Sequence, residues 1–83
     1  MKKAELAEKI FRDIYQTTKP EKFGYREENG AFVWASDNFD WKIVVCSKNS
    51  ALLYATLKNG RGYSMIRRYF YNGSRLDNER VVV

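Results

Sequence analysis

The sequence predicts an α+β domain, an N-terminal amphipathic helix packed on an antiparallel meander sheet of four to five strands. Three observations carry this. Apolar residues between Lys3 and Tyr15 recur at helical spacing; after Pro20 the period changes to alternation; and the alternating segments are separated by Asn-Gly and Gly-rich turn signals. The strongest short apolar run, Trp41-Lys42-Ile43-Val44-Val45-Cys46, has the β-branched character of a strand and lies between the turn-prone clusters Ser36-Asp37-Asn38 and Ser47-Lys48-Asn49-Ser50. It is the expected central strand.

A chain of 83 residues makes one compact domain over 1–83, with a helix at 3–17 and a sheet region at 22–83. In the helix, Leu6/Ala7, Ile10/Phe11 and Ile14/Tyr15 form one apolar stripe, and Glu5–Lys9 and Glu8–Arg12 are i,i+4 pairs in the favourable order. Pro20 restricts Lys19 and closes the segment. The polar face has mixed sign, so the stripe reads as core, since a membrane-surface helix would be rich in Lys and Arg.

Phe23 to Glu28 alternates, Asn29-Gly30 is the strongest two-residue hairpin signal, and Ala31 to Ser36 returns with Phe32 and Trp34 on one face. The third strand runs from about Phe39 to Cys46, with Trp41, Ile43 and Val45 sharing a face. Ala51 to Lys58 fits either a short helix capped by Ser50 or a strand. The strand is preferred, because Tyr63 to Tyr71 then returns beside it through Asn59-Gly60-Arg61-Gly62. Asn72-Gly73 marks a further turn, and Val81-Val82-Val83 is a candidate edge strand or a frayed tail.

Composition narrows the function. The chain has no histidine, which removes Ser-His-Asp and Cys-His nucleophilic sites and His-ligated metals. Cys46, alone and in an apolar strand, reads as an inert core thiol. Asp37-Asn38-Phe39-Asp40 lacks the glycine and distal glutamate of a calcium loop, and no phosphate-binding glycine loop is present. The expectation is a non-enzyme with no catalytic residue, no metal and no cofactor. No apolar run is long enough to span a membrane, and Glu5, Glu8 and Lys9 interrupt any leader-like segment, so a cytoplasmic location with no membrane partner is expected.

The net charge of +5 is unevenly spread. Residues 1–42 hold eight basic and eight acidic side chains, whereas Lys48, Lys58, Arg61, Arg67, Arg68, Arg75 and Arg80 in the second half face only Asp77 and Glu79. A basic half-domain attracts phosphates or acidic protein surfaces. As a strand, Tyr63, Met65, Arg67, Tyr69 and Tyr71 would share a face, tyrosines to stack bases beside guanidinium groups to hold phosphates. The candidate nucleic-acid or partner-binding residues are therefore Lys58, Arg61, Tyr63, Arg67, Arg68, Tyr69, Tyr71 and Arg75. The opening Arg61-Gly62-Tyr63 is similar to the start of the RNA-recognition-motif signature, but Ser64, Met65 and Arg68 depart from it, and the family is not assigned.

Two functions from different classes follow. One is non-catalytic binding of single-stranded nucleic acid or of the nucleic-acid backbone. The other is protein docking by a small phage or mobile-element inhibitor on a larger protein of a nucleic-acid-handling complex, motivated by the Tyr, Trp and Arg that dominate interface hot spots. In size and style the chain resembles anti-CRISPR proteins, with no shared motif. A homodimer is a third possibility, paired through the Val81–Val83 edge.

Overall fold

The computed structural model describes residues 2–16, 19–60 and 63–81, with the backbone alone at Tyr63 and Ser64. One helix, α1 (Lys3–Tyr15), packs on a six-stranded antiparallel meander: β1 (Arg26–Glu28), β2 (Ala31–Ala35), β3 (Phe39–Ser47), β4 (Ser50–Leu57), β5 (Tyr63–Tyr71) and β6 (Leu76–Arg80). The spatial order of the strands is their order in sequence. The segment 50–57 is a strand, as preferred, and the sheet is one strand wider than expected.

Helix α1 ends earlier than the periodicity allows. Gln16 enters the left-handed region at φ 52° and its N–H donates to the Arg12 carbonyl at 2.6 Å, which closes the last turn. The chain then makes a 3-10 turn over Pro20–Phe23, with proline at its start, where a missing N–H costs nothing. Phe23 therefore belongs to this turn and not to the first strand. Gly24, at φ 74°, redirects the chain into β1.

At the β1–β2 hairpin Asn29 and Gly30 both have positive φ, 54° and 83°, which the two-residue turn matching strand twist requires. Its register pairs Glu27 with Phe32 and Arg26 with Val33. The β5–β6 hairpin is closed by Asn72, whose Oδ1 accepts from the Ser74 and Arg75 N–H groups at 3.0 and 2.9 Å. The edge strand of this ribbon is Leu76–Arg80, which the sequence did not signal; of the 81–83 tail, expected as an edge strand or a frayed end, only Val81 is described, and it lies just past the strand. Val81 retains one bond, donating to the Ile66 carbonyl at 2.9 Å, and residues 82 and 83 lie outside the described residues.

The core lies between α1 and one face of the sheet. Leu6, Ala7, Ile10 and Phe11 meet Phe32, Trp34, Ile43, Val45, Ala51, Leu53 and Tyr69. Phe11 is the hub, with the rings of Tyr15, Phe23, Tyr25 and Trp34 at centroid distances of 4.9, 5.5, 4.9 and 4.8 Å. Trp34 donates its indole N–H to the Tyr15 hydroxyl at 3.1 Å, and Trp41 donates to Ser36 Oγ at 3.0 Å, so both large rings are buried without orphaning their polar atoms. The Tyr25 hydroxyl is buried without a partner; burial, with the nearby charges of Glu8 and Glu27, pushes its pKa up.

Cys46 is exposed and does not join this core. Register shifts between Val45 and Ser47, which makes Cys46 the extra residue of a β-bulge, and alternation sets it opposite the core-facing Val45, on the side away from the helix. No helix among the described residues is long and apolar enough to cross a membrane.

Candidate nucleic-acid interface

Cross-strand partners in an antiparallel sheet share a face, so register assigns each side chain of β5 to a side. Ala51 pairs with Tyr69, Leu53 with Arg67 and Ala55 with Met65, which puts Met65, Arg67, Tyr69 and Tyr71 on the side that carries α1. Ile66, Arg68 and Phe70 point to the other side, which no element among the described residues covers. The alternation read from the sequence holds from Met65 to Tyr71, but that face is turned towards the helix, and a register shift between Ala55 and Thr56 interrupts it before Tyr63.

This changes what the tyrosines can do. Tyr69 is 2% exposed and donates its hydroxyl to Asp13 Oδ2 at 3.4 Å, so it offers no ring face to a base. Burial, with the Asp13 charge, pushes its pKa up to about 12. Tyr71 is half-buried; Lys9 Nζ sits 5.4 Å from its ring centroid and its hydroxyl donates to the Gly73 carbonyl at 3.0 Å. Arg61 and the side chain of Tyr63 lie outside the described residues.

The arginines are divided between two settings. On the uncovered side Arg68 faces Glu79 at 3.7 Å, and at the hairpin Arg75 Nε donates to Asp77 Oδ1 at 2.8 Å. Both pairs are exposed, where an ion pair is worth about 0–1 kcal/mol, so a competing anion displaces the carboxylate at little cost. On the helix side Arg67 has neutral partners, the Met65 sulfur at 3.2 Å and Asn78 Oδ1 at 2.9 Å.

Directly opposite Arg67 in the ladder stands Arg80. Val81 and Ile66 exchange a ladder bond beside them, so Arg67 and Arg80 occupy the non-bonded position at which opposed side chains come closest. Two guanidinium groups there repel each other, a local cost to the sheet that a bound anion removes.

The β5–β6 ribbon therefore brings together Arg67, Arg68, Tyr71 and Arg75 of the expected residues. Lys58 is elsewhere, in the exposed turn after β4, where its N–H donates to the Asn38 carbonyl at 3.1 Å. Three basic residues that sequence reasoning left out join the ribbon. Arg80 arrives through the β5–β6 register. Lys9 reaches it from α1. Lys48 lies in the β3–β4 turn, whose Asn49 carbonyl accepts from the Tyr71 N–H at 2.8 Å. None of these placements is visible without knowing which strands are neighbours.

The uncovered face is different in kind. Its middle rows are Val33, Lys42, Tyr54 and Ile66, then Val44, Leu52, Arg68 and Glu79. Lys42 Nζ lies 5.3 Å from the Tyr54 ring centroid, and Phe70, 42% exposed, stands beyond them. A shallow groove of about 640 Å³ opens at one end between Arg26, Glu28, Asp40 and Lys42. Among the described residues no three potential metal ligands cluster. In comparisons with known proteins, no family model, no curated protein and no solved structure matches this chain.

Proposed function

We propose that this chain is a small non-catalytic protein of the cytoplasm that binds nucleic acid by its backbone, through the β5–β6 ribbon. The observation that carries the reading is the Arg67–Arg80 pair, two cations opposite each other in the ladder, of which Arg67 has neutral hydrogen-bond partners. Lys9 from α1 and Lys48 in the β3–β4 turn extend the positive charge near this pair, against Asp13, while Arg68, on the opposite face, and Arg75 are held in ion pairs with Glu79 and Asp77. With Tyr69 buried and Tyr71 engaged, stacking contributes little. The binding is electrostatic and reads no sequence.

The test is fluorescence anisotropy of labelled single-stranded DNA, duplex DNA and RNA at about 50 and about 200 mM salt, a range over which phosphate-driven binding weakens steeply. Arg67→Ala and Arg80→Ala should each weaken all three alike and lower the salt slope by about one. Absence of binding at the lower salt, or affinity unchanged in both variants, would falsify the reading.

The uncovered face favours a second reading, protein docking, in which the chain acts as an inhibitor or adaptor on a larger protein. On that face Phe70 is 42% exposed and Val33, Val44, Leu52, Tyr54 and Ile66 are half-buried among charged side chains, a mixed surface of the kind that protein interfaces use. On that reading, replacing Leu52 or Ile66 by lysine abolishes the effect on the partner, whereas Arg67→Ala and Arg80→Ala leave it intact.

A further inference from the structure

We infer that the occupant of the uncovered sheet face is a second copy of this chain, the two sheets packing face to face as a two-layer sandwich. The inference rests on the docking reading of that face and concerns a surface separate from the β5–β6 arginine pair.

Charge decides against a strongly acidic or basic partner. The chain carries +5, yet the uncovered face bears Arg26, Lys42, Arg68 and, at its hairpin, Arg75 against Glu28, Asp40, Asp77 and Glu79, with Arg26–Glu28, Arg68–Glu79 and Arg75–Asp77 paired within the chain. The excess lies off this face, so two copies meet there without the repulsion that their net charges impose elsewhere. Such a surface gives an acidic protein or a nucleic acid no reason to prefer it.

Register supplies self-complementarity. One row across the face reads Arg26, Val33, Lys42, Tyr54, Ile66; the adjacent row reads Glu28, Ala31, Val44, Leu52, Arg68, Glu79. A two-fold axis lying between the sheets, across the strands and midway between these rows, sets each row over the other. Tyr54 then covers Leu52 of the second copy, Val33 meets its Ala31, the Arg68 stem lies on its Ile66, Lys42 comes over its Val44, and the Arg26–Glu28 ion pair that each chain holds at 3.0 Å is laid against the same pair of the other copy. Because the interface is isologous, every one of these contacts occurs twice.

Size agrees. Six strands about 4.8 Å apart, with residues rising about 3.4 Å each, make a face of roughly 500 Å² in plan. The accessible area of a corrugated surface is larger than its plan, close to the approximately 800 Å² per partner of a standard interface. Two sheets packed with strands nearly aligned are an established stable arrangement.

The experiment is analytical ultracentrifugation of the full chain from low to high micromolar concentration, in the presence and absence of added salt, with far-UV circular dichroism to confirm the fold of every variant. The wild type should approach twice its 9.8 kDa mass. Leu52→Lys should return it to the monomer mass with an unchanged spectrum. Ile66→Lys, on the other row, should weaken the dimer at least about tenfold with an unchanged spectrum; a tenfold change corresponds to about 1.4 kcal/mol. Nucleic-acid binding by Leu52→Lys should keep the Arg67 dependence of the wild type.

A monomer at the highest concentration overturns the inference, as does a dimer that survives Leu52→Lys, which would place the contact on another surface. If the chain is monomeric but Leu52→Lys abolishes binding to a different protein, the second copy is wrong and the docking reading stands. A monomer that is also indifferent to Leu52→Lys in every partner assay removes both.

Discussion

The Tyr69 hydroxyl donates to the Asp13 carboxylate at 3.4 Å, joining the only helix among the described residues to a strand 56 residues further along the chain. Because the phenol is buried beside a carboxylate, its anion is disfavoured and its pKa rises from 10.0 to about 12. A group whose folded pKa exceeds its unfolded value contributes stability that is complete below the unfolded pKa and is lost as pH rises towards the folded one.

The fold should therefore hold its stability up to about pH 10 and lose part of it between there and about pH 12. Tyr69→Phe removes this share of the loss and costs about 0.5–1.5 kcal/mol at neutral pH, the range of a single hydrogen bond. Urea unfolding followed from pH 8 upward checks it. Identical pH profiles for the variant and the wild type would show that Tyr69 does not report on folding.

Phe11→Ala tests the aromatic hub. The residue is fully buried and contacts four rings, so its truncation should cost about 3–5 kcal/mol, against a total of about 4–12 kcal/mol for a chain of this length. Calorimetry should find a Tm lower by at least about 12 °C, or no cooperative transition. A loss under about 5 °C would mean that the surrounding rings close over the cavity.

Gly30→Ala tests the first hairpin. Nothing lies within 4 Å of where the new methyl would stand, so only the φ of 83° opposes it. The expected cost is about 1–2 kcal/mol, the penalty for an L-residue in the left-handed region. Replacing Gly30 by a D-alanine by chemical synthesis should restore the wild-type Tm; failure to do so would attribute the loss to something other than backbone handedness.

Glu79→Gln should tighten nucleic-acid binding. It releases Arg68, on the face opposite Arg67 and Arg80, from its only described acidic partner without changing side-chain shape, and takes one negative charge out of the ribbon's field. The salt slope should steepen by up to about one. A weaker complex would show that Glu79 orients Arg68 productively and does not merely compete for it.

Most of the fold is legible in the chain because each level of the sequence agrees with the next. Leu6, Ile10 and Phe11 repeat at helical spacing, Asn29-Gly30 names a turn that only such residues form readily, and Trp41, Ile43 and Val45 alternate towards the helix. What is hidden follows from the same physics. Leu76-Asp77-Asn78-Glu79-Arg80 is polar on both faces because an edge strand needs charge to resist further pairing, and so it carries no apolar period to find. Cys46 stands at a bulge, an insertion that alternation does not announce. For β5 the alternation is clear, but both sides mix apolar residues with arginine: Met65, Arg67, Tyr69 and Tyr71 on one, Ile66, Arg68 and Phe70 on the other. Which side the helix covers is a property of the whole sheet, and it alone separates the buried Tyr69 from the exposed Phe70.

The strict meander has a consequence for synthesis. A chain leaving the ribosome delivers α1 first, with its stripe of Leu6, Ile10 and Phe11 and nothing to lay it on. Docking must wait until Ile43, Val45 and Leu53 have emerged, whereas each strand from β2 onward finds its neighbour already made. The last strand released is β6, which brings Arg80 to Arg67. The proposed anion site therefore comes into being only once β6 has joined β5, after every other strand of the sheet has been made.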